Sequence, residues 1–407
     1  MTRGGFLFLS FLRRQESSFF VNGVNCIVNK HNIGLTMKIA FIRKRFDPFG
    51  GAENYLQTLC SRLISEGYDI SVLTKDWQQT EGVSFYKVPT NPLCSTMSFN
   101  RNVKKLIETL KFDCTVSFER TTHQDIYRAG DGCHSTWLRL RAIIENPLRR
   151  FSFKINPNHR AILKIEKECF EKTPVIVANS MIVKQNIIAD YGISAEKIRV
   201  LYNGVDLKRF NTDNRITYRA ALRQELGVPE DMPLLVFAGS GYERKGLPTL
   251  LRAVSMINDD LMVLAAGKGD IAKYKRLSKT LGVMERVLFL GPVKNIERVY
   301  AAGDIFVLPT LYDPFSNASL EAMAAALPVI TTMTNGVSEL IETGVNGAVL
   351  DDPLNAEALA YSIKAIIPKA DRMGKNASIK AGDFGIERAA SEFISLIDEF
   401  VRGKSNE

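Results

Sequence analysis

The chain has 407 residues, is 45% apolar and 24% charged, and carries a formal net charge of +9. That length suits about two domains, and the composition is that of a globular protein with a buried core rather than a disordered or collagenous chain. Six cysteines, at 26, 60, 94, 114, 133 and 169, form no C-x2-C pair, and four histidines make no metal constellation. These counts argue against a disulfide framework or a structural metal and for reduced thiols in a cytosolic protein.

The apolar run Phe6–Leu12 is followed by Arg13-Arg14. It is too short to span a bilayer and lacks a small-residue cleavage site, which argues against a signal peptide. Met37-Lys38-Ile39-Ala40-Phe41-Ile42 enters a strand directly. We expect residues 1–36 to be an extra segment outside the fold and Met37 to be the initiator. Strands are then expected at Ile39–Ile42, Ile70–Thr74, Cys114–Phe118 and Val175–Ala178. A second half offers Leu234–Ala238, Leu261–Ala265, Val287–Leu290, Ile305–Leu308, Val329–Thr332 and Ala348–Leu350. Helical patterns separate them, which predicts an α/β fold of two Rossmann-like domains, built on parallel sheets and facing across a cleft.

Phe46-Asp47-Pro48-Phe49-Gly50-Gly51-Ala52-Glu53 follows the first strand. Its paired glycines let backbone approach a ligand ahead of a helix, or simply serve a tight turn. Asp125-Ile126-Tyr127-Arg128-Ala129-Gly130-Asp131-Gly132-Cys133-His134 follows the third, and puts the acid Asp131 in a loop. Residues 137–164 then carry Arg139, Arg141, Arg149, Arg150, Lys154, Arg160 and Lys164 against Glu145 alone, interleaved with Trp137, Leu148, Phe151 and Phe153. Two readings stay open: a surface for an anionic membrane, or a solvated helix pair with a core face. No nucleic-acid module is visible, so nucleic acid is not an expected partner.

Gly239-Ser240-Gly241-Tyr242-Glu243-Arg244-Lys245-Gly246 opens the second half. Glycines allow close approach, and Arg244 with Lys245 can neutralise a diphosphate; the plainer alternative is a solvated basic loop. Lys245 precedes Gly246 rather than Ser or Thr, so this is no Walker A loop, and Arg244 occupies the third glycine position of a dinucleotide fingerprint. Gly267-Lys268-Gly269-Asp270, with Ala272, is a loose G-x-G-x-x-A that supports an NAD-type reading, without a clearly placed ribose-binding acid. The most informative stretch is Tyr312-Asp313-Pro314-Phe315-Ser316-Asn317-Ala318-Ser319-Leu320-Glu321. It joins a strand to an Ala-rich helix, the kind of loop where parallel sheets place ligands. Carboxylates accept bonds from sugar hydroxyls, and a helix start attracts phosphate oxygens. The plainer alternative is a pair of first-turn acids complementing the helix dipole. The chain closes on Ile386–Val401, with Ala390, Phe393, Ile394, Ile397 and Phe400 on one stripe.

The Asp313/Glu321 spacing resembles the E-x7-E motif of retaining GT-B glycosyltransferases of family 4, with Asp313 in place of the first Glu. The resemblance runs from about Met37 to about residue 400. Pro48-Phe49-Gly50-Gly51, the Asp-x-Tyr-x-Ala-x-Asp of 125–131 and the Gly-Ser-x-x-x-Arg-Lys-Gly of 239–246 are similar to the lipopolysaccharide-core glucosyltransferase branch. It implies a GT-B fold: an acceptor domain at 37–205 completed by helix 386–402, a linker at Asn203-Gly204-Val205-Asp206, and a nucleotide-sugar donor domain at 206–385. Gly50, Gly51, Arg244 and Lys245 would hold the donor diphosphate, with Arg244 and Lys245 stabilising the leaving nucleotide. Asp313 would take the sugar hydroxyls, Glu321 the ribose, and backbone amides of Ser316, Asn317 and Ala318 the sugar or phosphate. Asp131 would stand at the acceptor-side catalytic position.

The family's reaction implies a hexose moved with retention of configuration, without metal or cofactor. UDP-glucose is the first donor, ahead of UDP-GlcNAc and GDP-mannose. The acceptor would be a saccharide or glycolipid, such as a lipopolysaccharide core heptose, met in the cytoplasm or at the inner membrane face. Asp313 is one methylene shorter than the family's Glu, and Ser316 replaces a common glycine. The rival readings are a GT-B-fold UDP-GlcNAc 2-epimerase and a non-catalytic nucleotide-sugar-binding protein.

Overall fold

A computed structural model describes residues 36–45, 51–77 and 80–405. The expected extra segment 1–36, but for Thr36, and the predicted site residue Gly50 lie outside the described residues. In the first lobe β1 (Lys38–Ile42), β2 (Asp69–Thr74), β3 (Val83–Lys87), β4 (Cys114–Ser117), β5 (Ile126–Arg128), β6 (Val175–Ala178) and β7 (Ile198–Val200) form one sheet in the order β3-β2-β1-β4-β5-β6-β7. In the second, β8 (Leu234–Ala238), β9 (Met262–Ala266), β10 (Val287–Gly291), β11 (Ile305–Leu308), β12 (Val329–Thr332) and β13 (Gly347–Leu350) form another, ordered β10-β9-β8-β11-β12-β13. Neighbouring strands pair in parallel throughout both sheets. This is the architecture of two Rossmann-like domains expected from the sequence.

Parallel strands need helical crossovers, which cover both faces of the sheet and leave the strands dry. Hence β8 reads LLVFA and β11 IFVL, with every residue buried. Three strands lie outside those anticipated, each for a local reason. The edge strand β3 is only partly buried, so its apolar signal is diluted by Ser84 and Lys87. β5 and β7 are three residues each, too short for a period to show. Residues 126–128, read as loop from the sequence, are therefore strand.

Each strand order reverses direction once, between β1 and β4 in the first sheet and between β8 and β11 in the second. At such a reversal the following loops diverge to opposite faces and leave a crevice beyond the carboxyl ends of the strands, where α/β proteins bind ligands. The loops after β8 and β11 are 239–246 and 309–316, the two stretches singled out above.

The final helix, Ile386–Ser405, lies beyond the second lobe in sequence but packs in the first. Its Ala390, Phe393, Ile394 and Ile397 share a core with Ile39, Phe41, Leu56 and Val116. Tyr55 Oη donates to Ala389 O at 3.0 Å. Where the chain crosses between lobes, Val205 N donates to Phe384 O at 2.8 Å and Ile386 N to Val205 O at 2.9 Å. The outgoing and returning segments are thus zipped side by side.

Candidate active site

The loops after β8 and β11 are stitched together by backbone. Leu311 N and Thr310 Oγ1 donate to Arg244 O at 2.8 and 2.9 Å. Arg244 Nη1 donates to Tyr312 O at 3.0 Å. Gly246 has φ +83°, and a Cβ there would overlap Pro309 O, so only glycine lets the two loops nest. The result places the Lys245 ammonium against the Asp313 carboxylate, with Arg244 Nη1 at 3.9 Å from the same oxygen. Asp313 is fixed in turn: its N donates to Thr334 O at 3.1 Å and its O accepts from Gly336 N at 2.9 Å. Lys245 is 8% exposed and Asp313 6%. Burial pushes the Lys245 ammonium below its ordinary value, Asp313 pulls it back, and Arg244 adds to the depression. Two residues given separate ligand roles from the sequence therefore face each other.

The helix after Asp313 is Asn317–Ala324, capped by Ser316, whose Oγ accepts from Ser319 N at 3.2 Å. Ser316 is buried, and its own N–H is taken by Asn335 Oδ1 at 3.1 Å. Of the three amides expected to meet sugar or phosphate, that of Ser316 is thus committed to the protein. Those of Asn317 and Ala318, in the first turn, have no partner within the helix. Glu321 stands one turn inside the helix rather than at its start, and faces the interlobe cleft. Tyr300 Oη donates to its carboxylate at 2.9 Å. Burial pushes the Glu321 carboxyl up, against the opposing influence of Tyr300 and Arg209.

Asp131 lines the first-lobe wall of the same cleft, with its side chain 59% exposed and Arg120 Nη1 at 3.8 Å. Arg120 is held by Glu166 at 2.7 Å and donates to Gly132 O at 2.9 Å. Glu166 is fully buried and accepts from His134 N, capping the helix His134–Ile144. This buried acid, invisible on an otherwise charged helix, sets the loop that carries Asp131. His134 makes a hydrogen bond to His159 at 3.0 Å, and burial lowers its pKa to about 4.

The cleft has a volume of about 1000 Å³. Arg43, Tyr55, Phe118, Arg128, Asp131 and Asn203 meet Asn317 and Glu321 across it. Arg244, Lys245, Asp313 and Ser316 do not line this cavity. Gly51 opens the helix Gly51–Ser65. The lobes touch directly at several points. Cys133 N donates to Tyr312 Oη at 3.1 Å, Ser180 Oγ to Pro314 O at 2.8 Å, and Asn203 Nδ2 to Asn317 Oδ1 at 2.6 Å. Asp270, in the loose glycine motif, caps the helix Ile271–Thr280 by accepting from Lys273 N at 3.0 Å. Among the described residues no group of three or more His, Cys, Asp or Glu side chains is placed to hold a metal ion. Arg128 and Arg209 escaped the sequence reading as site residues. Arginine is ordinarily a surface residue, so its presence in a motif carries little signal.

Residues 49–209 match the family model Glycosyltransferase Family 4, and residues 219–380 match Glycosyl transferases group 1. An uncharacterized glycosyltransferase of Methanocaldococcus jannaschii is 25% identical over 81% of this chain and 89% of its own length. The lipopolysaccharide glucosyltransferase WaaG of Escherichia coli is 25% identical over 79% and 87%. A crystal structure of WaaG superposes with a TM-score of 0.77, at 21% identity over 88% of this chain and 99% of that one. Anabaena HepE in complex with UDP-glucose superposes with a TM-score of 0.68, at 20% identity over 89% and 100%. With both of its halves matched and its two-sheet fold shared, the chain belongs to the GT-B glycosyltransferases and is related to the lipopolysaccharide-core glucosyltransferase branch.

Proposed function

We propose that this glycosyltransferase moves a hexose, glucose before others, from a UDP-sugar to a hydroxyl of a saccharide or glycolipid, with retention of configuration. The observation that carries this reading is the Lys245–Asp313 pair, with Arg244 beside it, at the reversal point of the second sheet. Two cations there can neutralise a diphosphate, and the first-turn amides of Asn317 and Ala318 add donors for its oxygens. Glu321, facing the cleft, is placed to accept from ribose hydroxyls. Asp131 on the opposite wall can orient the acceptor hydroxyl. The anomeric C–O bond of the donor breaks, the acceptor oxygen bonds to that carbon, and its proton passes to the leaving phosphate oxygen on the same face. The charge developing on the nucleotide is met by Arg244 and Lys245, without a metal. The glucosyltransferase name of the Escherichia coli relative and the UDP-glucose bound to HepE support the choice of donor.

The test is nucleotide release from a panel of UDP- and GDP-sugars, with and without deacylated lipopolysaccharide core, in the presence of EDTA. Acceptor-dependent release of UDP from UDP-glucose, unchanged by EDTA, is expected. Conversion of a UDP-sugar without nucleotide release would replace this reading with an epimerase.

The acceptor's setting follows from a second feature. The helix Pro147–Ile155 has no buried residue. Leu148 is 84% exposed and Phe151 61%, with Arg149, Arg150 and Lys154 on the same short helix. An apolar ridge flanked by cations suits the interface of an anionic bilayer, where a glycolipid would be found. No helix among the described residues is long and apolar enough to cross a membrane. We expect the protein to co-sediment with phosphatidylglycerol vesicles but not phosphatidylcholine ones, and Leu148→Ser/Phe151→Ser to abolish this. Equal sedimentation with both lipids would reject the surface.

A further inference from the structure

Arg128 is the residue whose chemistry the fold leaves unfinished. It sits on β5, is 4% exposed, and lines the interlobe cleft. Its guanidinium makes one hydrogen bond among the described residues, from Nη2 to Asn203 Oδ1 at 2.6 Å. Nε is buried without an acceptor. No described carboxylate forms an ion pair with it. Asp131, the acid that follows it in the chain, is paired with Arg120 instead. What Arg128 does have is the Tyr55 ring, 4.5 Å from the guanidinium carbon, and the Phe118 ring at 5.5 Å.

A buried guanidinium without a counter-charge is costly, and proteins normally pair it. Arg223, equally buried in the second lobe, shows the ordinary solution: it bonds Asp304 at 2.7 Å and the carbonyls of Pro229, Glu230, Met232 and Ala302. Arg128 instead packs its guanidinium against two aromatic rings in the wall of the cleft, with Nε left without an acceptor. That is the disposition of a planar fork waiting for an oxyanion. Its one hydrogen bond among the described residues runs through Asn203 to Asn317, the first residue of the second-lobe helix, so its orientation is tied to closure of the cleft.

We propose that Arg128 is an anion subsite on the acceptor wall, and that the acceptor carries a phosphate or other oxyanion which this guanidinium binds. The inference rests on the transferase reading and narrows its acceptor to an anionic saccharide. The same oxyanion chemistry could come from the donor diphosphate, and the experiment separates the two sources.

Wild type and Arg128→Gln, each saturated with UDP, are titrated with glucose, glucose 6-phosphate and inorganic phosphate. UDP and uridine affinities are measured separately. Wild type is expected to prefer glucose 6-phosphate over glucose by roughly tenfold or more, the scale of one charge-assisted contact. Arg128→Gln should erase that preference, leave UDP affinity within about twofold, and melt no lower than wild type, since an uncompensated charge is removed. Arg128→Lys should keep part of the preference. A loss of UDP but not uridine affinity in Arg128→Gln would give the arginine to the donor and overturn the proposal. So would a wild type without phosphate preference, or a lower melting temperature with the preference intact, which would mark a structural arginine. These are binding readouts, so a wild type that binds phosphate yet turns over no donor would refute the transferase reading and leave the subsite standing.

Discussion

Lys245→Ala is expected to cut sugar transfer by roughly 10²–10³-fold, the loss that follows removal of one donor to a developing oxyanion. It is also expected to destabilise the second lobe, because Asp313 would be left buried without its counter-charge, at a cost of about 3–5 kcal/mol. The two effects have different remedies. Adding Asp313→Asn removes the stranded charge, so the double variant should recover most of the melting temperature. It should not recover turnover, because the cation proposed to meet the leaving diphosphate is still absent. Thermal melts and UDP release on the single and double variants check both halves. Turnover within a few fold of wild type in Lys245→Ala would leave the pair structural and the proposed chemistry without its cation.

Gly132→Ala should cost about 100-fold in turnover while leaving each lobe folded, since misplacing reacting groups by an ångström has that effect. Gly132 has φ +63°, and a Cβ there would overlap the Tyr312 hydroxyl and lie 2.7 Å from Pro314 Cγ. Those atoms belong to the other lobe and flank Asp313. The methyl group would therefore push the first-lobe wall away from the loop after β11, beyond the about 1–2 kcal/mol of local backbone strain. The hydroxyl is the nearest obstacle, so Tyr312→Phe in the same chain should restore part of the rate. Kinetics together with small-angle scattering would show the wedge. A rate within twofold of wild type, with unchanged scattering, would mean that the Gly132–Tyr312 approach has no bearing on catalysis.

The position of the candidate site's two loops in the fold was readable in the sequence because strand-loop-helix order is local information. Residues 239–246 and 309–316 each follow a short apolar run, and their charged and glycine residues cannot belong to the strand. The encounter between Lys245 and Asp313 was not readable, because 68 positions separate them and only the β8–β11 pairing brings them together. Ser316 looked like a ligand-facing substitution and is a helix cap, a role that depends on where the helix begins. Glu166 and Arg128 were hidden for the opposite reason: each is a charged residue at a position where charge usually marks a surface, and each is buried. The second lobe's strands were found within a residue or so because its central strands are buried on both faces and read as unbroken apolar runs. The first sheet's short strands β5 and β7 lacked the length to declare themselves.

The return of the helix Ile386–Ser405 to the first lobe also fixes the order of assembly on the ribosome. The lobe begun first is the lobe finished last. Its slot for Ala390, Phe393 and Ile397, walled by Tyr55, Leu56 and Phe118, stays open while the whole second lobe is synthesised at about 5–20 residues per second. The nascent chain thus carries an unfilled apolar surface until the second lobe has been made, and the emergence of this helix, rather than completion of the first sheet, is the moment at which the first lobe can close.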